Sequence, residues 1–168
     1  MTSPDMVDTK RSFPPVVAPT TRLLVLGSLP GDRSLAAQRY YAHPQNQFWR
    51  LVSAAIRRDI TALPYEDRLA ALLDAGVGLW DVVASATRPG SSDAAIRHLV
   101  ANDLPALVVT LPDLRAIAFN GATAHRHGTK QLGPTALDLI ALPSSSPLHT
   151  IGLAAKLPAW AALHAFLD

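Results

Sequence analysis

Two short stretches hold the residues best suited to chemistry: Gly27-Ser28-Leu29-Pro30-Gly31, directly after an apolar run at residues 23–26, and Tyr40-Tyr41-Ala42-His43-Pro44-Gln45-Asn46-Gln47-Phe48-Trp49. The apolar run reads as a buried strand. Gly and Pro force a tight turn at its end, and the backbone amides of such a turn can face an anion. The second stretch gathers aromatic rings around one carboxamide, Asn46. A strand end, a Gly-Pro turn, aromatic rings and a carboxamide suit a pocket for a flat polar heterocycle, and a nucleobase is the obvious candidate.

The elements that must position these residues follow from periodicity. Residues 22–27 form the first strand. Phe48, Leu51, Val52, Ala55 and Ile56 recur at helical spacing, which predicts a helix over 46–57 with Asn46 near its N-terminus. A helix over 65–74 stops at Gly76, a C-terminal cap residue. Residues 78–84 are the second strand, 93–101 a helix and 103–110 a short helix or strand with Pro105 early in it. Residues 115–119 are the third strand, 122–127 a helix, 137–142 the fourth strand and 154–167 the closing helix. Residues 1–20 mix Pro, Ser, Thr and charge without periodicity and are expected to be a flexible arm, leaving 21–168 as a single domain.

Short apolar strands separated by helices imply right-handed βαβ crossovers, hence an α/β fold with a parallel sheet covered on both faces. Ligands of such sheets bind outside the carboxyl ends of the strands. Three strand ends carry unusual polar chemistry: Gly27-Ser28, Phe119-Asn120-Gly121 and Pro143-Ser144-Ser145-Ser146-Pro147; the remaining one carries Asp81 and Ser85.

Composition removes whole classes of function. At 168 residues, 49% hydrophobic and only 17% charged, the chain can bury a real core and is not a disordered sequence. It has no cysteine, which excludes disulfides, iron–sulfur clusters and zinc thiolate sites. His125 and His127 stand two apart in a helix and face different ways, so no metal is expected. There is neither a P-loop Lys motif nor a GxGxxG fingerprint, and no cofactor is implied. No apolar run reaches membrane-spanning length and no basic-then-apolar leader is present, so the expectation is a soluble, cytoplasmic protein with no membrane partner. A net charge of +2, from 15 basic and 13 acidic residues, is too even to establish nucleic-acid binding.

The strings GSLPGDRSL, YYAHPQNQFW, GLWDVVAS, DAAIR…ND, FNG and LPSSSP, in this order and spacing, resemble the uracil-DNA glycosylase superfamily and specifically its hypoxanthine-DNA glycosylase branch. The resemblance runs from about residue 22 to residue 160. It implies a three-layer α/β/α fold with a central four-stranded parallel sheet. It also implies a monofunctional glycosylase of base excision repair, which flips a deaminated base, hypoxanthine first, out of DNA and hydrolyses its N-glycosidic bond. Other branches carry a catalytic Asp or Asn where this chain has Ser28; the hypoxanthine branch uses a downstream Asn, which matches Asn46. The chain departs from the branch at Leu148-His149, and Leu148 resembles the wedge leucine of the uracil enzymes.

On this resemblance Asn46 and Ser28 form the catalytic set, with Asn46 positioning the water. Amides of the turn from Gly27 to Gly31 suit a departing base anion. Phe48, Asn120, His43 and Gly27 would meet the base, and Ser144, Ser145, Ser146, Pro147 and Leu148 the DNA backbone and the vacated stack. Each has an ordinary structural role beside it. Asn46 suits a helix cap, Phe48 a core position, Asn120 an Asn-Gly turn, His43 the closing of the turn before Pro44, and the Ser-Pro run a strand-to-helix turn. Asp81, inside an apolar strand, is either part of a structural network or an active-site group. Arg33, Arg39 and Arg88 near the mouth are candidate phosphate contacts. The partner is DNA containing a deaminated base, met by a monomer. Excision of uracil or of mismatched G:U and G:T bases, and a module that binds lesions without cutting, are the competing readings.

Overall fold

The computed structural model describes residues 9–91, 93–147, 149 and 151–168. In chain order the elements are β1 (Thr9–Arg11), β2 (Leu23–Gly27), α1 (Asp32–Ala37), α2 (Phe48–Ile56), α3 (Tyr65–Ala75), β3 (Val77–Asp81), β4 (Val83–Thr87), β5 (Arg97–Ala101), α4 (Leu104–Val108), β6 (Ala116–Asn120), α5 (Ala122–Leu132), β7 (Asp138–Leu142) and α6 (Leu153–Ala161). Single 3₁₀ segments stand at Asp93–Ala95 and Ala162–Phe166.

The central sheet has four parallel strands in the order β3-β2-β6-β7. β2 is apolar at every position except its final Gly27 and is buried throughout, as a strand covered on both faces must be. Its side chains alternate. Leu23 and Val25 enter the core layer formed with Phe48, Leu51, Val52 and Trp160 from α2 and α6. Leu24 and Leu26 enter the opposite layer with Leu104, Ile117, Phe119 and Ala124. These two layers around one sheet are the three-layer arrangement expected. α5 lies close enough on β6 that a Cβ at Gly128 would stand 2.2 Å from Phe119 Cε1, so this glycine sits inside the helix instead of ending it.

Several local readings need correction. The single strand expected over 78–84 is two strands in different sheets. After Asp81 the chain leaves the parallel sheet, and the amides of Val82 and Val83 donate to Gly27 O and Ser28 O at 2.8 and 3.0 Å. β4 then forms a second, three-stranded antiparallel sheet in the order β1-β4-β5. The helix expected over 93–101 is a 3₁₀ turn followed by β5, because antiparallel pairing with β4 overrides the local helical preference of Ala94-Ala95. The arm expected over 1–20 is part of the fold from Thr9 onward; residues 1–8 lie outside the described residues. β1 pairs with β4, Val16 exchanges backbone bonds with Leu79 (2.9 Å each way), and Trp80 Nε1–H donates to Phe13 O at 3.0 Å. Residues 103–110 resolve to a helix, capped by Asp103, whose carboxylate accepts from Ala106 N at 3.1 Å. Among the described residues no helix is long and apolar enough to cross a membrane.

Candidate active site

At the carboxyl ends of β2, β3 and β6, and under the loop that follows β7, lies a cavity of about 430 Å³. Its walls include Gly27, Ser28, Asp81, Asn120 and residues 144–147, joined by Tyr40, Tyr41, His43 and Asn46 from the loop before α2 and by Asp93 from the 3₁₀ turn. The topology thus collects nearly all of the residues singled out from sequence.

The floor is the pairing of Gly27 with Asp81 across β2 and β3. A Cβ at position 27 would lie 2.6 Å from Asp81 Oδ1 and 3.1 Å from Tyr41 Oη, so only glycine leaves room for both. Asp81 is 4% exposed, and its Oδ2 has no hydrogen-bond partner among the described residues. Burial, with a smaller contribution from the charge of Asp93, pushes this carboxyl up to about 7 against the opposing pull of Arg88.

Ser28 Oγ–H donates to Asp93 Oδ1 at 2.7 Å. Burial raises the Asp93 carboxyl, while the Ser28 bond and the charges of Arg88 and His127 act against that rise. Arg88 is fully buried behind the Gly-Pro turn. Its guanidinium donates to Gly90 O (2.9 Å), Leu29 O (3.4 Å) and Pro30 O. It therefore braces the turn, and the expectation that it contacts phosphate is corrected. Lys10 adds an ion pair to Asp32 at 2.5 Å and a bond to Gly90 O. Arg33 remains on the cavity wall, whereas Arg39 lies over the Tyr65 ring, 5.2 Å from its centroid.

Asn46 stands where the helix reading placed it, just before α2, and its side chain lines the cavity. Its Oδ1 accepts the Phe48 amide N–H at 2.9 Å, an Asx-type turn one residue ahead of the N-cap Gln47, so this local bond and the cavity position coexist. His43 also lines the cavity; its Nδ1 accepts from Gln45 N at 3.1 Å, and its carbonyl accepts from Asn46 N at 2.9 Å. Gln47 N donates to Ser145 O at 3.0 Å, tying this loop to the one after β7.

The aromatic wall differs from expectation. Phe48 is fully buried and does not line the cavity; the ring of Tyr41 stacks on it, with centroids 3.8 Å apart and planes at 18°. Tyr41 sits at φ 53°, a left-handed conformation that is strained for a residue with a bulky side chain. Stacking on Phe48 and a hydrogen bond from Asn120 Nδ2 to Tyr41 Oη (3.3 Å) hold it there.

Asn120 lines the cavity, but its carboxamide is already engaged. Nδ2 also donates to Ser145 Oγ at 2.9 Å, and Oδ1 accepts from Ser145 N at 2.8 Å. It positions the loop after β7 and the Tyr41 ring. Ser145, 1% exposed, belongs to this framework and offers nothing to a phosphate. Ser144, Ser146 and Pro147 line the cavity, with Ser144 Oγ accepting from Ser146 N at 3.1 Å. Leu148 lies outside the described residues.

Sequence reasoning missed Tyr41 and Asp93, and it named Arg88 for a phosphate contact instead of for the turn it braces. Tyr41 was signalled by its place in the aromatic run before Asn46. Asp93 and Arg88 act through contacts with the Gly-Pro turn some sixty residues earlier, 65 positions in the Ser28–Asp93 bond, and no local pattern announces such a contact.

A sheet-end cavity lined by a Gly-Ser-Leu-Pro turn, an Asn-bearing aromatic loop and a Ser-Pro loop defines an α/β enzyme class. Residues 14–164 match the family model described as the Uracil DNA glycosylase superfamily. The chain belongs to that superfamily. It is 42% identical over 137 residues to a protein of Methanosarcina acetivorans named hypoxanthine DNA glycosylase, covering 82% of this chain and 86% of that one. A protein of the same name from Methanosarcina barkeri is 42% identical over 112 residues, 67% of this chain and 71% of its own length. The fold is similar to the solution NMR structure of a Methanosarcina acetivorans protein provisionally named a uracil DNA glycosylase. There the TM-score is 0.83 at 36% identity, over 95% of this chain and 99% of that one.

Proposed function

We propose that this DNA glycosylase excises hypoxanthine, the deamination product of adenine, from DNA and leaves an abasic site. The observation that carries the reading is the position of Asn46. It is a carboxamide on the cavity wall with its Oδ1 fixed by the Phe48 amide, in a chain that has Ser28 where other branches of the superfamily carry an acid or amide. The relatives named for hypoxanthine support the substrate.

The nucleotide is extruded from the duplex at a cost of about a few kcal/mol, least for a weakly paired deaminated base. The base enters the cavity against Tyr41, whose ring is backed by Phe48. Water attacks the anomeric carbon while the bond to the base nitrogen breaks and its electron pair leaves with the base; the water's proton is released to the base or to solvent. The sugar is cationic and the base anionic in the transition state, so little nucleophilic push is required. Asn46 holds and orients the water, since an amide is too weak a base to take its proton. Amides of residues 27–31 serve the departing anion, on a turn that Arg88 and the Ser28–Asp93 bond keep rigid. Ser144, Ser146 and Pro147 line the cavity beside the duplex path, with Leu148 next in sequence as the residue to fill the vacated stack. In this reading the protein works as a monomer inside the cell.

Uracil is the second substrate to test, because the similar solved structure is named for it. Labelled oligonucleotides containing one hypoxanthine, one uracil or a G:T mismatch, treated with alkali after incubation, separate these cases. Cleavage at hypoxanthine supports the proposal. Cleavage at uracil alone replaces the substrate, and binding without cleavage points to a lesion-binding module.

A further inference from the structure

Among the described residues Asp81 is the one buried acid of the cavity that the fold does not employ. Its main-chain carbonyl, not its side chain, accepts Asn102 Nδ2 at 2.7 Å. Its Oδ2 is buried without a partner among the described residues, an arrangement that native interiors avoid unless a ligand uses the group. The missing side chain at Gly27 keeps the space beside Oδ1 open, where a Cβ would come within 2.6 Å. Asn120, the carboxamide beside it on the cavity wall, is taken up by Ser145 and Tyr41. A base entering between Tyr41 and the sheet end therefore meets Asp81 as a free polar group.

Deamination converts an amino group next to a bare ring nitrogen into a carbonyl next to a ring N–H. This lactam pair is shared by hypoxanthine and uracil. A carboxylate can only accept, so it would bond the N–H and repel the carbonyl oxygen; a neutral carboxyl offers an acceptor and a donor together. We propose that Asp81 reads the lactam edge of the extruded base as the neutral acid, its O–H donating to the ring carbonyl and its C=O accepting the adjacent N–H. The assignment rests on the glycosylase reading above and adds the group that bonds the lactam edge.

The surroundings favour the neutral form. Burial opposes ionisation most, and Asp93 on the 3₁₀ turn opposes it further, with buried Arg88 pulling the other way. Tyr40 and Tyr41 face the same carboxyl with hydroxyls that burial keeps protonated. A carboxyl held at about 7 lets recognition fail within an accessible pH range.

The test is single-turnover excision of hypoxanthine and of uracil as a function of pH by the wild type, Asp81→Asn and Asp81→Ala, with thermal melts to confirm folding. Wild-type excision is expected to decline by about tenfold per pH unit above the titration of Asp81. Asp81→Asn, which presents the same donor and acceptor without a titrating proton, should act within about tenfold of wild type below that point and lose the decline. Asp81→Ala should lose at least about tenfold at every pH. The same alkaline decline in Asp81→Asn, or full-rate excision by folded Asp81→Ala, overturns the assignment. If Asp81→Ala does not fold, the profile of Asp81→Asn decides alone. A wild type that excises neither base at any pH overturns the glycosylase reading itself, and this assignment with it.

Discussion

Tyr41 and Phe48 stack face to face, 3.8 Å between ring centroids, and only Tyr41 borders the cavity. The two rings therefore have separable duties. Phe48 is fully buried in the layer with Leu23, Val25 and Trp160, so Phe48→Ala should cost about 3–5 kcal/mol of stability in a urea titration. Tyr41→Ala should cost less stability, since Tyr41 is only partly buried and Ala keeps a Cβ at the same positive φ, but weaken capture of the base. Stacking is worth about 1–3 kcal/mol per base, a loss of roughly tenfold to a hundredfold in excision under subsaturating conditions. A Phe48→Ala protein as stable as wild type would refute this division.

The Gly-Pro turn depends on Arg88, which supplies donors to three carbonyls from a fully buried position. Arg88→Met strands the carbonyls of Leu29 and Pro30 away from water, so it should destabilise the protein by about 3 kcal/mol or more. Arg88→Lys should not rescue it, because an ammonium lacks the planar fork that reaches several acceptors at once. Chemical denaturation of both variants checks this; a change within about 0.5 kcal/mol for Arg88→Met would show that the turn stands by itself.

Asp81 also makes stability depend on pH. Its carboxyl is raised from 3.8 to about 7 in the folded protein, so the native state holds this proton more tightly than the unfolded chain does. The resulting stabilisation is complete below about pH 4 and disappears as pH climbs to about 7, an effect of about 4 kcal/mol at most. Asp81→Asn removes the dependence. The difference in unfolding free energy between variant and wild type should therefore grow in the variant's favour from acid to neutral pH. A difference that stays constant across that range would mean that Asp81 is not raised.

What the sequence disclosed and what it hid divide along a physical line. The parallel sheet was legible because residues 23–26 and 116–119 are apolar runs whose burial needs no particular partner. α2 was legible from the spacing of Phe48, Leu51, Val52 and Ala55, and that spacing also placed Asn46 beside the helix N-terminus, which the structure sets on the cavity wall. The antiparallel sheet was not legible. Arg97-His98-Leu99-Val100-Ala101 is largely exposed, and it is a strand only because β4 offers a ladder beside it. Within the site, Phe48 was expected against the base on the family resemblance, whereas the helix period gave it the core position it occupies; that period does not tell which ring lies above it. The left-handed backbone at Tyr41 settles that, and no rule of composition predicts it. Asn120 was placed correctly at a strand end, but its engagement with Ser145 depends on the loop after β7 folding back over it.

The role of Asn46 is tested by comparing Asn46→Ala with wild type on an oligonucleotide bearing a single hypoxanthine, with stability measured alongside. Asn46 Oδ1 holds the first amide of α2, Phe48 N–H, and loss of one such bond costs about 1 kcal/mol, which leaves the protein folded. Wild type should excise the base, and folded Asn46→Ala should lose excision while still binding DNA. Excision by Asn46→Ala at a rate near wild type would leave Asn46 only its bond to Phe48 N–H and remove it from the chemistry.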